Sequence, residues 1–566
     1  MCGIFFVQTD NGIKPEKELI EKNFFKMKPR GPDDSKLLFF NRKHSRQIGD
    51  VKQYMGFHRL AINGLDNQSN QPLELDETYL VCNGEIYNHE ELQKKYDIKC
   101  KTGSDCEIIL HLYKKFGMDF VNLLDGVFSF VLLDHFEKTI IVARDPIGVR
   151  PLFYQKYKGT YVFASEGKSI AGLNFEEAGY KALFKTKNKK YSFRQFPQGS
   201  VMKLTYNMYD HIDSETIKCY LPNTFYSGVS NKIENEKLFL KNIREKLEKA
   251  VEKRLMSDRP IGCLLSGGVD SSIIAALLQK YYKTQGKKIK TFSIGFNEST
   301  DIKYARMVAK HIGSEHHEII LNYQDGIDRI PDVIRDIETY DITTIRASVG
   351  MYLLSEYISE NFEEIVIFSG EGADEIFGGY LYFHYAPCEK EFEEESTRLI
   401  KKLPWYDVLR ADRCTASHGL ELRVPFLDKS FVEFCMSVSG KLRKPQNNYE
   451  KYYLRKAFED LLPNKVIWRR KEGFSDGVGG LTKPWYEWIQ ESVNKEYPDN
   501  MELKTKNETN IVGDLIKSYP SKEAWYYDYI FKQYYGNIYE PITKYWMPKW
   551  QESNDPSGRK MKVFQE

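Results

Sequence analysis

The pattern of apolar and polar residues divides the chain into a strand-rich first third and a second half in which strands and helices alternate. Residues 124–134 and 139–154 alternate or run apolar, with Asp-Pro and Gly turns between them, which predicts β-strands. From residue 260 onward, short apolar runs alternate with segments whose apolar residues recur at helical spacing. This alternation indicates a parallel sheet with helices on both faces.

The second half has elements that can be placed one by one. The predicted strands cover residues 260–265, 291–296, 316–321 and 364–372, and the predicted helices cover 272–282, 301–313, 323–337 and 345–360. An amphipathic helix over 235–256 precedes them and is interpreted as a docking helix for this half. Residues 206–234 lack a sustained period and contain Pro222 and Gly228, so they are interpreted as a crossing segment with loops.

The composition narrows the protein class. The 566 residues are 41% hydrophobic, enough for more than one core, and the formal charge of +2 gives no reason to expect nucleic acid or a membrane as the main partner. The nine cysteines form no CxxC pair, which argues against a disulfide framework or a structural zinc site. No long apolar run or targeting pattern is present at the N-terminus, and a cytoplasmic setting is expected.

A glycine-rich loop joins the strand ending at Leu265 to the following helix, and its residues are Ser266, Gly267, Gly268, Val269, Asp270, Ser271 and Ser272. The glycines let the backbone turn and bring N–H groups toward an anion at a helix N-terminus. The serines add hydroxyl donors and Asp270 can hold a divalent cation, so a nucleotide pyrophosphate with magnesium fits. The alternative, a Gly-Gly turn with a serine N-cap, does not explain why hydroxyls and a carboxylate surround the glycines.

A second acidic loop follows the strand predicted at 364–372, and it includes Ser369, Gly370, Glu371, Asp374 and Glu375. Ligands of parallel sheets gather where the strands end. We therefore expect Asp270 and Asp374 to converge and share Mg²⁺.

Near the N-terminus, Cys2 would become the first residue if Met1 were removed. Its α-amine, with a pKa of about 8, could then act as the base for its own thiol. Arg59, the pair Asn83-Gly84 and Asp105 follow in short polar motifs. Taken singly, Arg59 is more often a surface ion pair and Asn-Gly more often a hairpin turn, but together behind Cys2 they favour a site.

These motifs resemble those of class II, N-terminal nucleophile, glutamine amidotransferase domains. The resemblance implies an α+β sandwich (αββα) over residues 2–205, with Cys2 attacking the side-chain amide of glutamine. It further implies that Asn83 and Gly84 form the oxyanion hole and that Arg59 pairs with the glutamine α-carboxylate. Glu85 and Asp105 would bind the α-ammonium group or its hydrogen-bond shell.

The loop at 266–272 resembles the pyrophosphate loop of ATP pyrophosphatases. Together with residues 338–348, 369–387 and 422–429, the chain resembles the glutamine-hydrolysing asparagine synthetase family along nearly its whole length. This implies an α/β parallel-sheet ATP-pyrophosphatase domain over 235–566 with helical C-terminal additions, and a linker over 206–234. The implied chemistry is ATP activation of L-aspartate to β-aspartyl-AMP, which ammonia from L-glutamine converts to asparagine. A homodimer is also implied.

The same resemblance implies residue roles in the second site. Leu265, Ile294, Ser369 and Gly370 would line the adenine and ribose site with the loop at 266–272, and Glu371 would orient the intermediate or accept a proton from ammonia. Lys451 would neutralise phosphate charge, and Arg346 is a candidate contact to aspartate or phosphate. The alternative for either cation is a solvated surface charge. Residues 468–476 are interpreted as a substrate-closing loop.

Two other functions compete with this one. A related amidating ligase could act on a different carboxylate, but such proteins often lose the N-terminal cysteine that is present here. A nucleotide- or glutamine-sensing regulator needs no nucleophile, so Cys2, Asp270, Asp374 and Glu371 argue against it. The pair His316-His317 lacks a third ligand at HExxH spacing and is interpreted as part of a strand.

Overall fold

The structure is a computed structural model that describes residues 1–9, 16–41, 52–173, 193–207, 211–229, 232–296, 299–470, 483–504, 509–536 and 545–550. Most of the segments 41–54 and 173–193 lies outside these residues. So do 471–476 of the predicted closing loop and the segment after 550. Within the described residues, no helix is both long and apolar enough to cross a membrane.

Two antiparallel sheets form the N-terminal part. The first contains, in spatial order, Arg194–Gln195, Phe153–Tyr157, Thr160–Ala164, Gly3–Gln8, Lys52–Arg59 and Asp34–Asn41. The second contains Ile212–Cys219, Ser200–Tyr206, Thr139–Arg144, Gly126–Asp134, Thr78–Ile86 and Leu73–Leu75. Their facing side chains, among them Phe6, Phe57, Val131 and Val142, pack in one buried cluster.

Helices cover the outer faces of these sheets. They are Lys17–Phe24, His89–Tyr96, Ile108–Phe116 and Lys168–Ala171, with 3₁₀ turns at Phe25–Arg30, Asn67–Ser69, Asp105–Glu107 and Gly117–Leu123. Phe24 packs on Phe5 of the first sheet, with ring centroids 5.9 Å apart, and Phe120 packs on Phe130 of the second at the same distance. The predicted αββα sandwich is confirmed.

One strand of the second sheet lies where the sequence predicted a loop-rich crossing segment. Residues Ile212–Cys219 pair along Ser200–Tyr206 at the edge of the sheet. Because seven of the eight residues are exposed, the strand carries no alternation of apolar and polar positions. The sheet therefore extends beyond residue 205 into the segment 206–234.

The second half is built on a parallel sheet. Its strands are, in spatial order, Glu315–Leu321, Lys290–Phe296, Ile261–Leu264, Val366–Phe368 and Glu421–Arg423. Helix Val269–Thr284 packs beside the central strand, and helix Ile342–Asn361 packs on Lys290–Phe296. The strand order reverses around Ile261–Leu264, the kind of position where α/β sheets bind ligands. The predicted parallel sheet is confirmed, and His316 and His317 lie on one of its strands.

Further helices belong to this half, and those after the last strand, Glu421–Arg423, form the helical C-terminal additions. They are Thr224–Ser227, Glu236–Lys253, Thr300–Ile312, Tyr323–Asp328, Ile330–Ile337, Ala373–Phe377, Glu389–Lys402, Asp407–Ala416, Lys429–Met436, Gly440–Arg443, Tyr452–Ala457, Asn464–Ile467, Trp485–Glu496, Val512–Leu515 and Lys522–Tyr535. Short 3₁₀ turns occur at Leu381–Tyr385, Leu403–Trp405, Pro425–Leu427, Glu459–Leu461 and Ile516–Ser518, and Glu502–Lys504 pairs with Thr509–Ile511.

A buried ion network joins the two halves. Arg30 donates to Glu166 at 3.0 Å and to Asp412 at 2.9 Å, while Arg413 pairs with Glu166 and, at 3.0 Å, with Glu338. Burial opposes ionisation of Glu166, but the cations Lys168, Arg413 and Arg30 hold its pKa well below the usual range. Removing one partner of such a network would leave an uncompensated buried charge, so the network fixes the halves against each other.

Candidate active sites

Cys2 lies at the start of the strand Gly3–Gln8, between the two halves of the molecule. Its thiol is half-buried and receives the backbone N–H of Leu60 at 3.4 Å, and its carbonyl accepts from Arg30 Nε at 2.8 Å. Burial raises the pKa of the Cys2 thiol to about 11 in the chain that retains Met1. The thiol therefore needs a nearby base before it can act as a nucleophile.

Met1 is enclosed by both halves. Its α-amine donates to Leu420 O of the second half at 2.9 Å, and its side chain is almost fully buried. Burial lowers the pKa of this amine from 8.0 to about 5. The predicted mechanism requires a different amine, the α-amine of Cys2, which becomes free only when Met1 is removed.

Asn83 and Gly84 lie inside the strand Thr78–Ile86, opposite Ser129 and Phe128, and not in a turn after it. Asn83 Nδ2 is buried and donates to no atom of the described residues. A buried amide donor without a partner is costly unless a ligand supplies the acceptor, as a developing oxyanion would. Gly84 must be glycine here, because a Cβ would lie 2.2 Å from Val127 O.

Arg59, Glu85 and Asp105 are all buried around this region. The Arg59 guanidinium donates to backbone oxygens of Asp66, at 2.8 Å, and of Gly64, so it holds the loop that follows its own strand. Asp105 accepts from Ile86 N at 2.6 Å. Burial raises the pKa of Glu85 well above its usual range, and the carboxylates of Glu421 and Asp105 act in the same direction.

His58, beside Arg59, gives a test of this part of the fold by pH. The ring is fully buried; Nε2–H donates to Phe24 O at 2.9 Å, which leaves Nδ1 to accept from the Ser35 hydroxyl at 2.7 Å. Burial lowers the pKa of His58 from 6.5 to about 4. Between these values the unfolded chain binds a proton that the folded chain does not, so stability falls as pH drops through this window.

We expect the thermal unfolding midpoint of the N-terminal sandwich to fall between pH 6.5 and about 4, the window set by His58. The loss corresponds to up to about 3 kcal/mol. Calorimetry over this range should show a flatter profile for His58→Gln, which stays neutral and keeps a donor. The exposed His311 provides the control, since His311→Asn should keep the wild-type slope. An unchanged slope in His58→Gln would contradict the assignment.

In the second half, the loop at 266–272 closes on itself with hydroxyl contacts. Ser266 Oγ lies 3.0 Å from Ser271 Oγ and receives Gly268 N at 3.3 Å. Gly267 has φ +71°, and a Cβ there would lie 2.5 Å from Ala305 N, so glycine is required. Gly268 caps the helix Val269–Thr284, whose N-terminal N–H groups point into the loop.

A cavity of about 290 Å³ lies where the parallel strands end. Its lining brings together both predicted loops and the predicted nucleoside residues: Leu265, Ser266, Gly268, Val269, Asp270, Ser271, Ile294, Ser369, Gly370, Glu371 and Asp374. Arg469 and Arg470, the start of the predicted closing loop, also line it. Ser272 is the last residue of the loop, and its N–H donates to Gly268 O at 3.1 Å. Its buried hydroxyl has no partner among the described residues.

Lys451 joins the two acidic loops. Its side chain is buried, and Nζ contacts Asp270 Oδ2 and, at 2.6 Å, Asp374 Oδ1. Lys451 has φ +56° and sits at the start of helix Tyr452–Ala457. The predicted phosphate-binding cation thus lies between the two carboxylates predicted to hold Mg²⁺, and it is not a solvated surface charge.

Comparison with known proteins covers both halves of the chain. A family model described as "Asparagine synthase" matches residues 242–405 and 386–529, and one described as "Glutamine amidotransferase domain" matches residues 1–221. The proteins named "Asparagine synthetase [glutamine-hydrolyzing]" of Cricetulus griseus and Homo sapiens are each 41% identical, over 99% of this chain and 98% of their own length. That of Gallus gallus is 41% identical over 100% of this chain and 99% of its own.

The chain belongs to the asparagine synthase family. The glutamine amidotransferase match ends just after the strand Ile212–Cys219, which the structure places in the N-terminal sandwich. Both sites described above therefore lie within segments that match the family's models.

In this member of the asparagine synthase family, the sequence analysis missed Arg410 and Gly379, and it placed Glu375 in the acidic loop without assigning it a role. Arg410 donates to Glu371 Oε1 at 2.9 Å and to Asp407 at 3.1 Å, so it positions the predicted proton acceptor. Burial, with the carboxylates of Asp407 and Asp374, raises the pKa of Glu375 to about 8. A Cβ on Gly379 would lie 2.1 Å from Lys451 Cε, so the Gly-Gly pair before Tyr380 was a usable signal. For Arg410 the only signal in the sequence was the helical spacing of three positions from Asp407.

The prediction for Arg346 does not agree with its position. On helix Ile342–Asn361, Thr343 and Thr344 line the cavity, whereas Arg346 forms a buried ion pair with Glu523, at 2.8 Å and 2.6 Å. Side chains at successive positions of a helix point in different directions, so residues of one short motif can face different neighbours. Arg346 thus anchors the helix Lys522–Tyr535, and the threonines are the members of the motif that reach the cavity.

Proposed function

We propose that this chain makes L-asparagine from L-aspartate, using ATP and nitrogen from L-glutamine, in two active sites. The overall reaction is ATP + L-aspartate + L-glutamine + H₂O to AMP + diphosphate + L-asparagine + L-glutamate. The observation that carries the proposal is the match to glutamine-hydrolysing asparagine synthetases over the whole chain, which includes both sites. The sandwich, with its edge strand to Cys219, is the glutaminase domain, and residues 235–566 are the synthetase domain. The active form is a homodimer.

In the glutaminase site, the Cys2 thiol attacks the side-chain carbonyl of glutamine. The α-amine of Cys2, exposed by removal of Met1, takes the thiol proton. The unpartnered Asn83 Nδ2 and the backbone N–H of Gly84 stabilise the oxyanion, ammonia leaves, and water hydrolyses the resulting thioester to glutamate. Arg59, Glu85 and Asp105 bind the α-carboxylate and α-ammonium groups, and their burial strengthens these charged contacts.

In the synthetase site, a side-chain carboxylate oxygen of aspartate attacks the α-phosphorus of ATP, and diphosphate leaves. The N–H groups and hydroxyls of residues 266–272 hold the departing phosphates, and Lys451 neutralises their charge. Ammonia then attacks the acyl carbon of β-aspartyl-AMP and AMP leaves. Glu371, oriented by Arg410, accepts the proton that the nitrogen loses.

Asp270 and Asp374 would hold Mg²⁺ beside the phosphates. The carboxylate pair suits a hard cation, and Asp270 Oδ1 is buried without a partner among the described residues. When bound, Mg²⁺ supplies positive charge that offsets the charge of the diphosphate. Lys451 Nζ, now between these carboxylates, is then available to the phosphates.

Product analysis tests this function. With ATP, Mg²⁺, aspartate and amide-¹⁵N glutamine, we expect ¹⁵N-asparagine, AMP and diphosphate in equal amounts, because adenylation leaves AMP in every turnover. A panel of other carboxylic acids should give little AMP, and omission of aspartate should leave only slow glutamine hydrolysis. ADP in place of AMP, or faster turnover of another acid, would overturn the proposal.

A further inference from the structure

Three metal-ligating side chains meet on the outer layer of the sandwich, outside both sites described above. Cys100 follows the helix His89–Tyr96, Glu107 ends the turn Asp105–Glu107, and His111 lies on the helix Ile108–Phe116. One ligand atom from each lies within 4.8 Å of the others. Thiolate, imidazole and carboxylate are the three ligand types that proteins offer to Zn²⁺.

The spacing of two of these atoms already matches a zinc site. His111 Nε2 and Glu107 Oε1 are 3.2 Å apart. In tetrahedral coordination with bonds of about 2.0–2.2 Å, neighbouring ligand atoms lie about 3.3–3.6 Å apart, close to this distance. The Zn–S bond is longer, about 2.3 Å, so the sulfur of Cys100 belongs further from the other two atoms. The limit of 4.8 Å on the spacing of the three atoms allows this longer separation.

Backbone and hydroxyl donors fix the carboxylate in place. Glu107 Oε1 accepts from Lys101 N at 2.7 Å, and Oε2 accepts from Thr102 N at 2.7 Å and Thr102 Oγ1 at 2.6 Å. A carboxylate has about four acceptor positions, so these donors leave the one that faces His111. Outer-shell donors of this kind orient the ligands of metal sites.

We propose that Cys100, Glu107 and His111 bind a divalent cation of the zinc type, with a water molecule as the fourth ligand. The side chains of Glu107 and His111 are 8% and 19% exposed, so the cluster is mostly buried. The ligands come from three separate elements with no CxxC pair, so cysteine spacing alone did not predict the site.

The ion would tie the loop at 97–104 to the helix Ile108–Phe116. Gly103 of this loop packs against Gly64, and a Cβ added to Gly103 would lie 2.7 Å from the Gly64 Cα. The carbonyl oxygen of Gly64 accepts a hydrogen bond from the Arg59 guanidinium. Metal binding therefore stiffens the loop behind Arg59 and Asp105. This consequence for glutamine use rests on the proposed function, whereas the metal site itself does not.

Cobalt titration of the full-length protein, after removal of metal with a chelator, tests the site. We expect one bound Co²⁺ per chain with thiolate-to-cobalt charge-transfer absorption that Zn²⁺ abolishes. Cys100→Ser should lose this absorption, and Cys219→Ser, which changes an exposed cysteine in the same domain, should retain it. Thr102→Val should keep the stoichiometry but weaken binding about 10–100-fold.

Circular dichroism of each variant, compared with wild type, establishes that it is folded. Equal charge-transfer absorption in folded Cys100→Ser would overturn the site, as would wild-type protein that binds no more cobalt than this variant. Because binding is read without substrates, failure here leaves the proposed asparagine synthesis untouched, and failure of that synthesis leaves the metal site standing.

Discussion

Cys2→Ala is expected to abolish glutamate formation from glutamine while leaving asparagine synthesis from added ammonium intact. The thiol lies beside Leu60 N, with the unpartnered Asn83 donor in the same site, and alanine provides no nucleophile to form the thioester. We expect glutamine-dependent turnover to fall by at least about 10³-fold, since the oxyanion hole alone gives only weak catalysis. Glutamate and asparagine measured with each nitrogen source check both halves of this expectation.

Cys219→Ala is the matched control, because Cys219 is exposed on an edge strand of the same domain. Its glutamine-dependent rate should equal that of wild type. Glutamine-dependent synthesis at the wild-type rate in Cys2→Ala would exclude Cys2 as the nucleophile. Loss of the ammonium-dependent reaction as well would show that the substitution disturbs the buried contact between the halves.

Lys451→Met is expected to stop diphosphate release with either nitrogen source. The substitution removes the positive charge of Lys451 Nζ from between Asp270 and Asp374. The two carboxylates that remain would repel the incoming triphosphate. Loss of a positive group aimed at developing phosphate charge costs about 10²–10³-fold or more in kcat. Diphosphate release with aspartate and ATP measures the effect, and hydrolysis of glutamine should persist.

Lys456→Met provides the comparison on the same helix. Lys456 is 39% exposed at its side chain and pairs with Glu236 at 2.8 Å, a surface contact of little energetic weight. Its diphosphate release should match that of wild type. Normal adenylation in Lys451→Met would remove the role assigned to this lysine.

The apolar pattern predicted strands within 124–134 and 139–154 and the parallel sheet, because these strands are buried, whereas the two-sheet sandwich was implied by the family resemblance. The pattern did not predict the strand Ile212–Cys219, whose exposed residues give no such pattern. Asn83-Gly84, a pair that on its own is more often a hairpin turn, lies within a strand, because nine residues of this strand pair with Gly126–Asp134.

Site residues in contiguous motifs were found more readily than those brought in by the fold. The loops around Asp270 and Asp374 can be recognised in the sequence from the spacing of their glycines, hydroxyls and carboxylates, and both loops line one cavity. Arg410 reaches Glu371 from a helix 39 positions later in the chain, and Arg30 reaches Asp412 across 382 positions. Such pairs depend on tertiary packing that no local pattern encodes.

The burial of the first backbone nitrogen has a practical consequence for anyone who produces this protein. Met1 N donates to Leu420 O, and the residue is 1% exposed, so any residues added ahead of it would disturb this buried contact. A histidine tag or fusion partner placed ahead of residue 1 would have to push the halves apart to leave the interior. Affinity handles therefore belong at the opposite terminus.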